Sequence, residues 1–247
     1  MRWVFLFAIC LNTWANDADI LARARAANAD LYASLQSFVC REQIERFEGS
    51  LSTAKTRRLD TVTANLSFEN GIEHYSEVRQ DNRLRTSLSN LSGAWSEGEF
   101  GTLLLQTEML LKTQAAAFQT LADLGGVATA VYYFDVPEEI SPWDLEVSGQ
   151  HYRLPFRTEV WISQQTGEIL KIARVSLRIP LETRISAVEW QVMLGPVELN
   201  GKQWLLPKAG RYSVVYEQTN RREWNVLNFS DYRRYGSEVA LRFGDAQ

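Results

Sequence analysis

The chain has 247 residues, of which 45% are hydrophobic and 23% charged, and a formal net charge of −4. That is enough apolar material for a sizeable core in one large or two small domains. The mild acidity argues against nucleic acid as a partner, since a basic face is the expected footprint of such binding.

Residues 1–15 read as an export signal. Arg2 supplies a positive start, Trp3 to Leu11 a compact apolar run, and Thr13-Trp14-Ala15 the small residues of a cleavage site. The run is too short to span a bilayer. Ile9, before Cys10, is not the small residue that a lipid-attachment signal carries, so a soluble exported chain starting near Asn16 is expected. Arg2 is the only charged residue in this leader, and its loss takes the net charge from −4 to −5. No later apolar run approaches the ~18 residues of a membrane-spanning helix. Cys10 leaves with the leader, so Cys40 stands alone and cannot form an internal disulfide. Phe38 and Val39 precede it, and a buried, reduced thiol is expected.

Asp17 to Gln36 has the spacing of an amphipathic helix. Ile20, Ala24, Ala27, Leu31, Leu35 and Phe38 recur every three or four residues, and Asn16 or Asp17 is placed to cap the start. The period then changes to two. Val62, Ala64, Leu66 and Phe68 alternate with polar residues, and Asn70-Gly71 follows as a hairpin turn into Ile72 to Arg79. Asp81-Asn82 reads as another turn. Gly93, Gly98 and Gly101 mark a loop. From Thr102 the Ala and Leu content predicts a helix, interrupted near Thr113 and ended by Gly125-Gly126.

From Val127 onward the pattern predicts a meander of antiparallel strands. Ser148-Gly149, Gln164 to Gly167 and Asn200-Gly201 separate several of them. Ser186, Val188, Trp190, Val192 and Leu194 share one strand face. No Pro-, Gly- or Ser-rich linker and no internal repeat divides the chain. One domain is expected from 16 to 247.

Residues that carry chemistry are sparse. His74 and His151 lie in separate strands, and neither has the i,i+4 partner of a helical metal site. Glu73 and His74 point to opposite faces of a strand, so a shared site there is not expected. There is no CxxC, no GxSxG elbow and no phosphate-binding loop, and no two carboxylates stand out as an acid and base pair. No metal or cofactor is expected. Trp95, Trp143, Trp161, Trp190, Trp204 and Trp224 are spread over the chain, fit either for a core or for an apolar cavity. Arg221-Arg222 and Arg233-Arg234 suit solvent, anionic lipid or an acidic partner surface.

The segment "TEVWISQQTGEILKI", Thr158 to Ile172, resembles a hairpin of the lipoprotein-carrier and sigma-factor-regulator superfamily (LolA/LolB/RseB-like). Val160-Trp161-Ile162 and Thr166-Gly167 match, while Ser163 stands where that group usually has an acidic residue. The order of elements is similar too. As a whole the sequence also resembles exported proteins of soil bacteria such as acidobacteria. The resemblance implies an α+β, mostly β fold: a curved antiparallel sheet or unclosed β-barrel covered by an N-terminal helix and a helical insert. It implies a concave apolar surface for acyl chains or a protein partner, and no catalytic residue. The expected function is a non-catalytic periplasmic or secreted carrier for lipid or lipoprotein. The alternatives are a protein-interaction module with a filled core, or a hydrolase of unrecognised type. The candidate ligand-binding residues are Trp161, Trp190, Leu104, Leu105 and Met109.

Overall fold

The computed structural model describes residues 12–35 and 38–234. The expected leader lies outside them up to Leu11. Helix α1 (Asn12–Leu35) runs unbroken through Asn16 and Asp17, so the helix does not start at these residues as expected. The chain continues through β1 (Phe38–Ser50), β2 (Thr56–Glu69), β3 (Ile72–Gln80) and the short β4 (Arg83–Leu84). A loop then leads to α2 (Thr102–Thr113). Beyond it come β5 (Ala117–Leu124), β6 (Val127–Val136), β7 (Asp144–Val147), β8 (Gln150–Arg153) and β9 (Phe156–Ser163). The chain finishes with β10 (Ile169–Ser176), β11 (Ala187–Leu199), β12 (Lys202–Tyr216) and β13 (Arg221–Arg234).

Eleven strands form one antiparallel sheet in the order β4-β3-β2-β1-β13-β12-β11-β10-β9-β6-β5, and β7 and β8 pair only with each other. The last strand returns to pair with the first. The two edges, β4 and β5, do not meet, so the curved sheet stays unclosed. Alternation sets its covered face. Val62, Ala64, Leu66 and Phe68 of β2 are buried, as are Val188, Trp190, Val192 and Leu194 of β11. Each of the Val, Leu and Phe side chains contributes about 1.5–3 kcal/mol against exposure, an upper figure because the unfolded chain is already partly compact. Asn70-Gly71 turns with φ of 53° and 83°, and Asn200-Gly201 with 54° and 74°. Two successive positive φ values make the turn whose twist matches the flanking strands.

Both helices lie on the covered face. Arg23 of α1 donates to the carbonyls of Gln165 and Gln164 at 2.8 and 3.1 Å, in the turn between β9 and β10. Gly167 allows this approach, because a Cβ there would meet the Arg23 Cβ at 2.5 Å. Arg25 Nε donates to the Leu111 carbonyl at 2.7 Å and ties the helices together. Ile20 and Ala24 of α1, with Leu103, Leu104, Leu110 and Leu111 of α2, complete the core. Among the described residues no helix is long and apolar enough to cross a membrane.

A further expectation fails. The helix from Thr102 ends at Thr113, and residues 117–124 form a strand, with Gly125-Gly126 as the hairpin turn to β6. Ala and Leu favour a helix only weakly, and pairing with β6 overrides them. Phe118 packs edge-on against Tyr132 at 5.6 Å between centroids. β12 runs through Pro207 as one strand. The ladder shifts register where Pro207 faces Leu194, which accommodates a residue that cannot donate.

Cys40 is buried on the covered face of β1. Burial pushes its thiol well above the ordinary value, and the charges of Glu42 and Glu73 add to this. A thiol reagent is therefore expected to label the native protein only as fast as the sheet unfolds. Labelling within seconds under native conditions would contradict the placement.

Candidate functional site

The covered face is not completely filled. Between β10–β13, the start of α2, the loop before it and the β7–β8 hairpin lies a cavity of about 670 Å³, within the range of small-molecule sites. Trp190 and Tyr212, directly opposite each other on β11 and β12, are both nearly buried and form its floor. Trp95 comes from the loop, Trp143 from the approach to β7, and Thr102 and Gln106 from α2.

The loop that forms one rim is tied down from two strands. Glu223 of β13 accepts from the Ala94 amide at 2.6 Å, and Asn225 Nδ2 donates to the Ala94 carbonyl at 3.1 Å. Arg46 of β1 donates from Nη1 to the Ser92 carbonyl at 2.6 Å. Arg46 is fully buried, and its Nε and Nη2 reach the two oxygens of Asp60 at 2.7 and 2.5 Å. Burial opposes ionisation of Asp60, but hydrogen bonds from Arg46 and Gln80 and the Arg46 charge outweigh it and hold the carboxyl below its usual range.

Arg174 of β10 is treated differently. It is 3% exposed and lines the cavity. Nε donates to Thr158 Oγ1 at 3.2 Å and Nη1 to Gln106 Oε1 at 2.8 Å, both neutral acceptors. The guanidinium carbon sits 4.1 Å from the Phe156 ring centroid, 5.5 Å from Trp190 and 5.6 Å from Trp143. Burial pulls this group well below the ordinary arginine range. An isolated buried cation costs several kcal/mol after relaxation, and ring faces return only about 2 kcal/mol of it.

Next to the cavity, α2 begins on a set of carboxyl groups. No side chain of the helix's own caps its start. Glu73 of β3 accepts instead from the amides of Phe100, Gly101 and Thr102 at 3.0, 2.8 and 3.1 Å, and from Gly98 at 3.1 Å. Tyr75 donates to the same carboxylate at 2.5 Å. A negative group at a helix N-terminus is favourable. Gly101 fits because a Cβ there would lie 2.2 Å from the Phe68 ring. Glu42 and Glu99 are buried close to this charge, with both oxygens of Glu42 and one of Glu99 unpartnered. Burial, then the Glu73 charge, pushes Glu99 up to about 8. Burial, then Glu99, Glu73 and Glu97, pushes Glu42 well above the carboxylate range. Among the described residues no His, Cys, Asp or Glu cluster is arranged to hold a metal ion.

Of the five residues singled out from sequence, only Trp190 lines this cavity. Trp161 is one position out of phase with buried Val160 and Ile162. It faces the opposite side of the sheet, where Lys171 Nζ lies 4.1 Å from its ring and Arg157 and Arg211 line the same shallow groove. Leu104 is buried in the core, Leu105 is half-buried, and Met109 is 55% exposed. Sequence reasoning missed Arg174, Trp143 and the carboxyl group around Glu73. Strand parity carried a usable signal for Arg174, which shares the phase of Ile172.

No protein-family model matches the chain, and no curated protein matches it. Among solved structures, a DUF1329 family protein from Desulfovibrio piger ATCC 29098 is similar at 10% identity, with a TM-score of 0.44. The match covers 90% of this chain and 93% of that one. Likeness of that degree carries no functional inference.

Proposed function

We propose that this protein is a non-catalytic binding or carrier module, exported after cleavage near Ala15, that holds the apolar body of a lipid or acyl chain in the 670 Å³ cavity. The observation that carries the reading is the cavity itself, floored by Trp190 and Tyr212 where the two helices leave the covered face unfilled. The resemblance of the β9–β10 hairpin to the lipoprotein-carrier superfamily points the same way. A hydrolase reading would draw on the buried pair Glu42 and Glu99, 1% and 0% exposed, but neither lines the cavity. A protein-interaction reading draws on the edge strand β5, where Phe118 and Leu121 are 46% and 62% exposed and backbone groups await a partner strand.

An environment-sensitive fatty-acid probe titrated into the mature protein separates these readings. Saturable binding is expected. Trp190→Ala should weaken it by about tenfold or more, from the aromatic surface lost, while Met109→Ser, on the exposed side of α2, leaves it unchanged. Absence of saturable binding by the wild type would discard the carrier reading in favour of the interaction module.

A further inference from the structure

We infer that the cavity grips its ligand by an anionic end: Arg174, with Trp190 beside it, is the seat for an oxyanion carried on an apolar body. This rests on the binding-module reading above and adds the class of ligand to it.

The cavity wall holds donors without acceptors. Arg174 Nη2 and Trp190 Nε1 are both buried and have no hydrogen-bond partner. Both residues line the same cavity, and the guanidinium lies 5.5 Å from the Trp190 ring centroid. Buried donors are rarely left unmet, so two in one place point to an acceptor supplied from outside the chain. Among the described residues no carboxylate lies within ion-pair reach of Arg174.

Arg46 gives the contrast within the same molecule. It is equally buried, yet it has a bidentate carboxylate and a carbonyl. The fold therefore neutralises one buried arginine completely and leaves the other with two neutral acceptors. Thr158 and Gln106 fix the orientation of Arg174 without discharging it. The remaining charges of the cavity are engaged or peripheral. Glu223 is paired with Arg221, Asp144 lies 2.6 Å from His151 Nδ1, and Glu97 and Glu146 are exposed at the rim. Trp143, half-buried, lines the cavity beside the β7–β8 hairpin, which pairs with no strand of the main sheet.

A fatty-acid carboxylate and a single-chain phosphate both place an oxyanion on one apolar chain, and either suits a guanidinium. Calorimetric titration of the mature protein with dodecanoate, monododecyl phosphate and dodecanol tests the inference and tells the two sources apart. The wild type is expected to bind at least one anion about tenfold or more tighter than the alcohol. Arg174→Gln should erase that preference while keeping the alcohol affinity, and Arg174→Lys should restore part of it. Equal wild-type affinity for all three overturns the anionic seat and leaves the cavity reading standing. No binding of any of them overturns both. Loss of all three in a folded Arg174→Gln protein would make Arg174 a structural residue and also overturn the inference. The wild-type series decides the matter even if the variants do not fold.

Discussion

Raising the pH from about 5 to 8 should destabilise this protein, and replacing Glu99 by Gln should remove much of the loss. Glu99 is fully buried, and its carboxyl is pushed up to about 8 by burial and then by the Glu73 charge. In the unfolded chain a glutamic acid titrates near 4.3. Between those values the folded state keeps a proton that the unfolded state has released. Stability is therefore full below the unfolded value and is lost as pH rises towards the folded one. For Glu99 alone the change between pH 5 and 8 is on the order of 3–4 kcal/mol. Glu42, raised by burial and by Glu99, Glu73 and Glu97, pulls in the same direction. Tyr75, Tyr212 and Tyr232 face this region and are raised by burial first, so they stay neutral across the window. Asp60 and Asp135 are lowered, and they favour the folded state only once the pH is above the acid range. The optimum should therefore lie near pH 5. Urea midpoints at pH 5, 6.5 and 8 measure the effect. Glu99→Gln keeps an oxygen to accept from Ser96, and should be more stable than wild type at pH 8. A wild-type midpoint that stays flat or rises over this range would show that the carboxyl group is hydrated. Because Glu99 sits in the segment whose amides Glu73 holds, its ionisation should also loosen the start of α2 and the cavity rim.

Why this region escaped the sequence follows from the same residues. The sheet was legible because Val62 to Phe68 and Val188 to Leu194 alternate cleanly, and because Asn-Gly turns announce their geometry. On β1 the buried positions are Phe38, Cys40, Glu42, Ile44 and Arg46. Two of the five are charged, so the apolar alternation that reveals a strand is broken where the chemistry lies. Glu73 did not stand out because four of its donors are backbone amides 25 to 29 residues away, and backbone donors leave no mark on a sequence. Trp190 shares its phase with Val188 and Val192, and its inward placement could be read. Trp161 lies between Val160 and Ile162 in an all-apolar triplet, so parity there had two solutions and pairing chose the one that sends the ring outward. Residues 117–124 misled for a third reason. As an edge strand with a mostly exposed pattern, the segment carries little period-two signal, and its Ala and Leu content speaks for a helix.

Removing one partner of the Arg46–Asp60 pair should cost about 3–5 kcal/mol, whereas replacing both by apolar residues should cost far less. Arg46 is the largest fully buried side chain among the described residues, and Asp60 is 8% exposed. With Asp60→Leu alone, a guanidinium stays in the core without its anion, and the Gln80 amide also loses the acceptor it has at 2.6 Å. With Arg46→Met alone, the carboxylate is left with Gln80 and no charge partner. The double variant carries neither charge, and a double-mutant cycle in urea isolates the coupling. Equal destabilisation by the double variant and the sum of the singles would mean that the pair is not coupled. The cycle has a second readout. Arg46 also donates to the Ser92 carbonyl, so any variant lacking it releases one of the anchors of the cavity rim even where stability recovers. The double variant should therefore be nearly as stable as wild type and still bind the fatty-acid probe more weakly, because the charge pair supports the fold while the third hydrogen bond of Arg46 positions the loop that carries Trp95.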